Sequence, residues 1–296
     1  MPEHPLTPPP APPTHESLST ASAPSNPTFL GEGAAVTLYR GQWIEAPLSD
    51  NQLVATGGSV FSEEQTLRVR LDFSSFKEDL ATWSAERVDA KIAENREKIA
   101  DQLTRAGIDL DPELVLRALI VQKKTDALLQ VAPSHDPGIE RRSIYSKDGP
   151  PPALSEFKGI SACAERALLA KHLLDQIGVP VTYMGGVAAH LNKHGAIEGE
   201  TDHSFLVMQH NDRSMIFDVA RMCASGWPRL VDMDHDMPLD RFLTTKNLLV
   251  SGTCPFSSAK GKMLFGVGNP YLLDEVRVLG MGDPSGEGVS VSDISE

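Results

Sequence analysis

No apolar run in this 296-residue chain approaches the ~18 residues that a membrane-crossing helix needs. Positive charge is in short supply as well. Twenty-seven Lys and Arg face 40 Asp and Glu, for a formal net charge of -13. A phosphate backbone rewards clustered Lys and Arg, so nucleic acid is not an expected partner. Cysteine is scarce, with Cys163, Cys223 and Cys254 the only three. None forms a C-x-x-C pair or a metal-ligand spacing, and the odd count leaves at least one thiol outside any disulfide framework. The start of the chain lacks both the basic segment and the apolar stretch of a Sec signal peptide.

Residues 1–28 are instead rich in Pro, Ser and Thr. Such a segment cannot bury a core and is expected to stay extended or disordered. The same composition suits a leader for a dedicated bacterial secretion machine. The expectation is then a protein that is cytoplasmic in the producing cell and exported without a signal peptide. From Gly280 onward the chain is again polar and acidic, and residues 280–296 read as a second frayed end.

Between the ends the composition is that of an ordinary globular protein, 41% hydrophobic and 23% charged. Residues 35–39 and 66–73 alternate apolar and polar side chains, as half-buried strands do. One long helix is expected over 76–106, with Gly107 as its C-cap. A second begins at Asp111-Pro112-Glu113, with Asp at the cap and Pro in the first turn, and runs to about Val131. Residues 131–157 carry Pro133, Pro137 and Pro150 to Pro152 with no apolar period, which reads as a hinge. The boundary falls near Pro150. Residues 29–150 form an accessory region of mixed α/β character, and 151–279 form a second domain.

The second half carries the chemistry. Ser161 is a suitable N-cap, which places Cys163 in the first turn of a helix that Gly178 and Pro180 end. Positions 163, 167, 170, 174 and 177 share one helical face, so the thiol is on the inward side. It sits at the positive end of the helix dipole, a field that favours thiolate. Backbone N–H groups of the same turn can receive an oxyanion. The plain alternative is an inert cysteine, a residue type often buried on an apolar helix face.

Residues 179–187 read as a strand ending at Gly185-Gly186. Residues 203–209 and 214–220 flank His210-Asn211-Asp212-Arg213 and read as a β-hairpin. If Gln209 faces Ser214, then His203 and Asp218 are diagonal neighbours on one sheet face, beside Phe205, Val207 and Ile216. A carboxylate on such an apolar face is anomalous unless it is paired. Cys163, His203 and Asp218, in that order on helix, strand and strand, can assemble a thiol nucleophile, its base and the orienter of that base.

These segments resemble the transglutaminase-like members of the papain-like thiol superfamily. The matching pieces are Cys163 to Val187 with its Gln-Ile-Gly-Val-Pro entry to a strand, then Asp202-His203-Ser204-Phe205, then Ile216-Phe217-Asp218. The resemblance implies an α+β fold, in which a helix bearing the cysteine packs on an antiparallel sheet bearing His203 and Asp218. It implies a bacterial deamidase or effector that acts on glutamine in a protein substrate, by deamidation or transamidation, with no cofactor. A cysteine protease or peptidoglycan amidase, and an inactive scaffold of the same fold, are the alternatives. Family members often add an upstream Gln or Trp to the oxyanion hole, for which Gln122 and Trp83 are available.

Three other patterns invite weaker readings. His190-x-x-x-His194 has the helical spacing of a metal pair, but within a loop-like stretch. Asp232-x-Asp234-His235-Asp236 reads as a solvated acidic turn, since it lacks the Gly and the distal Glu of a calcium loop. The glycine-rich run 265–270 precedes no capped helix, so it makes a weak phosphate cradle.

Overall fold

The structure is a computed structural model that describes residues 42–55, 68–131, 138–145, 149–191, 197–210, 213–223, 226–233, 248–256, 262–266, 277–279 and 289–290. Both the Pro-rich start and the expected strand at 35–39 lie outside these residues. The fold is α+β, with a layer of helices packed against a closed β-barrel.

Six antiparallel strands make the barrel: β4 (Val181–Leu191), β5 (Ile197–His210), β6 (Arg213–Met222), β7 (Pro228–Met233), β8 (Leu248–Thr253) and β9 (Met263–Gly266). Each pairs with the next, and β9 returns to β4. Closure removes the exposed edges that an open sheet of this size would leave. Closure also dictates Gly186. A Cβ there would run into the Gly266 carbonyl of β9, so β4 passes close to its neighbour only because position 186 has no side chain. The expected strand end at Gly185-Gly186 is thus a crossing point within β4.

Three more strands extend the sheet. β1 (Gln42–Ile44) pairs antiparallel with β4. β10 (Arg277–Leu279) pairs parallel with β8, and β11 (Val289–Ser290) pairs antiparallel with β10. Val289 and Ser290 therefore stand in the sheet, inside the stretch expected to be frayed. A separate small ribbon joins β2 (Leu53–Ala55) to β3 (Arg68–Arg70).

The expected 76–106 helix is broken into α1 (Lys77–Leu80) and α2 (Ala85–Ala106). Ser84 causes the break. It is extended, and its side chain accepts a hydrogen bond from the Arg87 amide, which starts a new helix. Gly107 ends α2 in the left-handed conformation at φ 66°. α3 (Pro112–Leu128) starts at the Asp111 cap, with Pro in its first turn. The presumed hinge holds a helix of its own, α4 (Gly138–Tyr145), and a 3-10 turn at Leu154–Phe157. The nucleophile candidate begins α5 (Cys163–Gln176).

α3 packs on α2, α5 and β7, and α5 lies on β4, β5 and β6. The buried residues between helices and barrel form one cluster running from Ile44 through Val115, Leu168 and Leu173 to Leu230. It crosses position 150 without interruption, so the expected boundary near Pro150 does not separate two cores. A second cluster, with Met184, Phe205, Ile216 and Phe265, fills the barrel. Lys171 stitches the layers together. Fully buried, it donates to the carbonyls of Glu45 (3.0 Å) and Val181 (2.8 Å) and to Asp175 (3.0 Å). Burial pushes the Lys171 ammonium down and the Asp175 carboxyl up, against the pull of each on the other.

Candidate active site

α5 starts at Cys163 because the preceding residue, Ala162, is extended and because Glu165 reaches back to it. The Glu165 carboxylate accepts from the Ala162 N–H at 2.8 Å, which is half of a capping box. The cap is therefore made by Glu165 and not by Ser161, whose hydroxyl is buried with no hydrogen-bond partner among the described residues. Cys163 is half-buried at the helix tip, and Ala167, Ala170, Leu174 and Ile177 of its face are buried. The first-turn amides of such a helix have no intrahelical acceptor and carry the positive end of its dipole.

The barrel brings the other two groups to that tip. β5 and β6 pair with Gln209 opposite Ser214 and Leu206 opposite Phe217, the register expected from the hairpin pattern. His203 and Asp218 thereby reach the same sheet face, 6% and 1% exposed. The imidazole Nε2–H donates to Asp218 Oδ1 at 2.9 Å. Cys163 bears on the same imidazole and adds to its proton affinity. Nε2 is taken up by Asp218, which leaves Nδ1 as the ring's other donor.

Electrostatics at this point favour charge separation. Burial works against an imidazolium at His203. The Asp218 carboxylate outweighs it, by charge and by hydrogen bond, with help from Cys163, and the group is pushed up to about 10. Asp218 moves the other way. Burial would raise its carboxyl, but the His203 charge, the hydrogen bond and Arg229 together hold it below the usual range.

Asp218 is held from every side. Its Oδ1 also accepts from the Ala220 amide at 3.2 Å, and its Oδ2 accepts from Arg229 at 3.3 Å. These bonds coincide with a bulge, where the β6–β7 ladder jumps from Asp218–Arg229 to Met222–Pro228. Arg166 of α5 donates to the Ala220 carbonyl at 2.8 Å and fixes the bulge to the cysteine helix. Gln122 of α3, fully buried, donates to the Val219 carbonyl at 3.3 Å.

No protein-family model, curated protein or solved structure matches this chain. The reading of the site therefore stands on its geometry and chemistry.

Three neighbours of the site went unread in the sequence. Glu165 is fully buried beside Cys163 and accepts three close contacts from the Arg141 guanidinium (3.0–3.2 Å) and one from the Tyr145 hydroxyl (2.5 Å). Burial alone would raise the Glu165 carboxyl, but Arg141 and Tyr145 hold it low. Burial also opposes the charge on Arg141, and Glu165 more than compensates, with Tyr145 and Cys163 adding to it. The available sequence signal was Glu165 at the third position of the helix, a capping-box position. Arg141 could not be found that way, since it arrives from α4 in the presumed hinge.

The remaining sequence candidates fall elsewhere. The Trp83 indole N–H donates to the Leu173 carbonyl at 3.0 Å, about 15 Å along α5 from Cys163. Trp83 is therefore a scaffold residue and not an oxyanion donor, and Gln122 has its amide on the Val219 carbonyl. His190 lies in strand β4, which removes the helical spacing of the supposed metal pair, and His194 is outside the described residues. Asp232 is in β7, while Asp234, His235 and Asp236 lie outside. Phe265 and Gly266 belong to β9, and the rest of the glycine-rich run lies outside the described residues. Among the described residues no helix is long and apolar enough to cross a membrane.

Proposed function

We propose that the chain is a thiol-dependent amidase of transglutaminase-like type, which deamidates or transamidates glutamine in a protein substrate. The observation that carries the reading is the buried, hydrogen-bonded His203–Asp218 pair on the strands that α5 covers, with Cys163 at the helix tip bearing on the same imidazole. A cysteine helix packed on an antiparallel sheet bearing His203 and Asp218 is also the arrangement that the sequence resemblance implies.

In this reading the Cys163 sulfur attacks the carboxamide carbon. First-turn amides of α5 receive the developing oxyanion. His203 Nδ1–H protonates the leaving nitrogen, and ammonia departs from a thioester on Cys163. The neutral imidazole then takes a proton from water, giving glutamate, or from an amine, giving a new amide. Asp218 keeps the ring oriented and stabilises its charged form through the cycle. Arg229 and the Ala220 amide keep Asp218 ionised, and Arg141 neutralises Glu165 so that no uncompensated carboxylate faces the sulfur.

The test uses glutamine-containing protein substrates, with and without a primary amine such as putrescine. Mass spectrometry should find a gain of about 1 Da at glutamine in water and an amine adduct when the amine is present, both lost in Cys163→Ala. Cleavage of the substrate backbone would instead assign a protease. No covalent change in any substrate, together with an unreactive Cys163, would leave an inactive scaffold.

A further inference from the structure

Outside this site, two thiols meet. The sulfurs of Cys223 and Cys254 are 3.5 Å apart, and all three cysteines of the chain are thiols in this structure. We propose that Cys223 and Cys254 form a second thiol site, which a low-molecular-weight disulfide converts into an intramolecular bridge.

The two residues are brought together by rigid neighbours. Cys223 follows the end of β6, where its amide donates to the Trp227 carbonyl (3.0 Å) and its carbonyl accepts from the Gly226 amide (2.8 Å). Cys254 directly follows β8. Two residues further on, the Phe256 ring stacks on Trp227 at 5.0 Å between centroids and 11° between planes. The exit of β8 is thus docked on the β6–β7 turn, with the sulfurs facing each other. Bridging requires the 3.5 Å separation to contract to about 2.0 Å.

Exposure sets the order of steps. Cys254 is 5% exposed and Cys223 half-buried, so an incoming disulfide meets Cys223 first. Cys223 thiolate attacks one sulfur of the oxidant, RSSR, and expels one thiol, leaving a mixed disulfide on Cys223. Cys254 thiolate then attacks the Cys223 sulfur and expels the second. Two protein thiols are oxidised and one RSSR is reduced to two RSH. The hydrogen bond to Cys254, with burial, pushes the Cys223 thiol up, so the first step quickens as the pH is raised. The bridge spans 31 positions of the chain and ties down the β6–β7 turn, next to Arg229 of β7, which holds Asp218. The inference stands on the Cys223–Cys254 contact and is independent of the activity proposed above.

The experiment treats the folded full-length Cys163→Ser chain with excess oxidised glutathione at pH 8. Intact mass should fall by about 2 Da, with peptide mapping joining Cys223 to Cys254. The same treatment of Cys163→Ser with Cys254→Ser should stop at a single glutathione adduct, about 305 Da heavier. The bridged form should melt higher by roughly 5–10 °C. Persistent glutathione adducts in the parent, oxidation only in denaturant, or an unchanged melting temperature would each overturn the proposal.

Discussion

At the residue scale, the proposed chemistry depends on the charge that His203 carries. Folding raises its proton affinity from the ordinary 6.5 to about 10, because the Asp218 attraction exceeds the cost of burial. A group held this way stabilises the fold in full below about 6.5, and its contribution fades as pH rises toward about 10. The melting temperatures of wild type and His203→Gln should therefore differ most near pH 6 and converge toward pH 10. A difference that does not change with pH would mean that His203 is not an imidazolium in the native state. His172 has the opposite sign. Burial beside Phe73, whose ring it stacks on at 3.5 Å, lowers it to about 4. Its contribution is lost as the pH falls from 6.5 toward 4, so the two histidines bound the stable range from opposite sides.

At the scale of elements, α4 and β4 bear most directly on the site. α4 reaches the cysteine helix through Arg141 and Tyr145, which converge on the buried Glu165. Removing one partner leaves the other charge buried and uncompensated. Arg141→Met should thus cost about 3–5 kcal/mol in urea unfolding, and Arg141→Met with Glu165→Leu should cost clearly less. Equal losses would show that the pair contributes through packing alone. On β4, Gly186→Ala places a Cβ against the Gly266 carbonyl, which cannot yield without shifting β9. A loss of about 1–3 kcal/mol is expected, and a neutral result would contradict the tight β4–β9 crossing.

The elements also show where the sequence was legible. The cap residues Asp111 and Gly107 and the β5–β6 register were readable because each rests on local pattern: a capping side chain, a left-handed glycine, a period-2 alternation. Ser84 was readable in principle, but the apolar period of α2 runs smoothly through the break and hides it. The clamp on Glu165 and the Arg229 contact to Asp218 were not legible. Both join residues 11 to 24 positions apart through tertiary packing, with no pattern to announce them.

At the scale of the whole molecule, two features were hidden from sequence: the closure of the barrel and the continuity of the core. Closure depends on β9 returning to β4, a pairing between strands some 75 residues apart, from Val187 to Gly266 and from His190 to Met263. The core depends on α3, backed by α2, covering α5, although proline-rich chain separates them from it in sequence. A fragment beginning at residue 151 would lose β1, α2, α3 and α4 and expose Leu168, Leu169 and Leu173, all fully buried in the complete chain. Such a fragment should show no cooperative thermal transition, whereas the intact chain should show one. A fragment that folds alone would restore the boundary at Pro150.

The central claim is that His203 activates Cys163, and alkylation by iodoacetamide near pH 7 tests it most directly. Cys163 should react faster than glutathione and far faster than Cys223 or Cys254. His203→Ala should slow Cys163 by roughly tenfold or more while leaving the other two thiols unchanged. Slow and equal labelling of all three thiols, indifferent to His203, would contradict the claim.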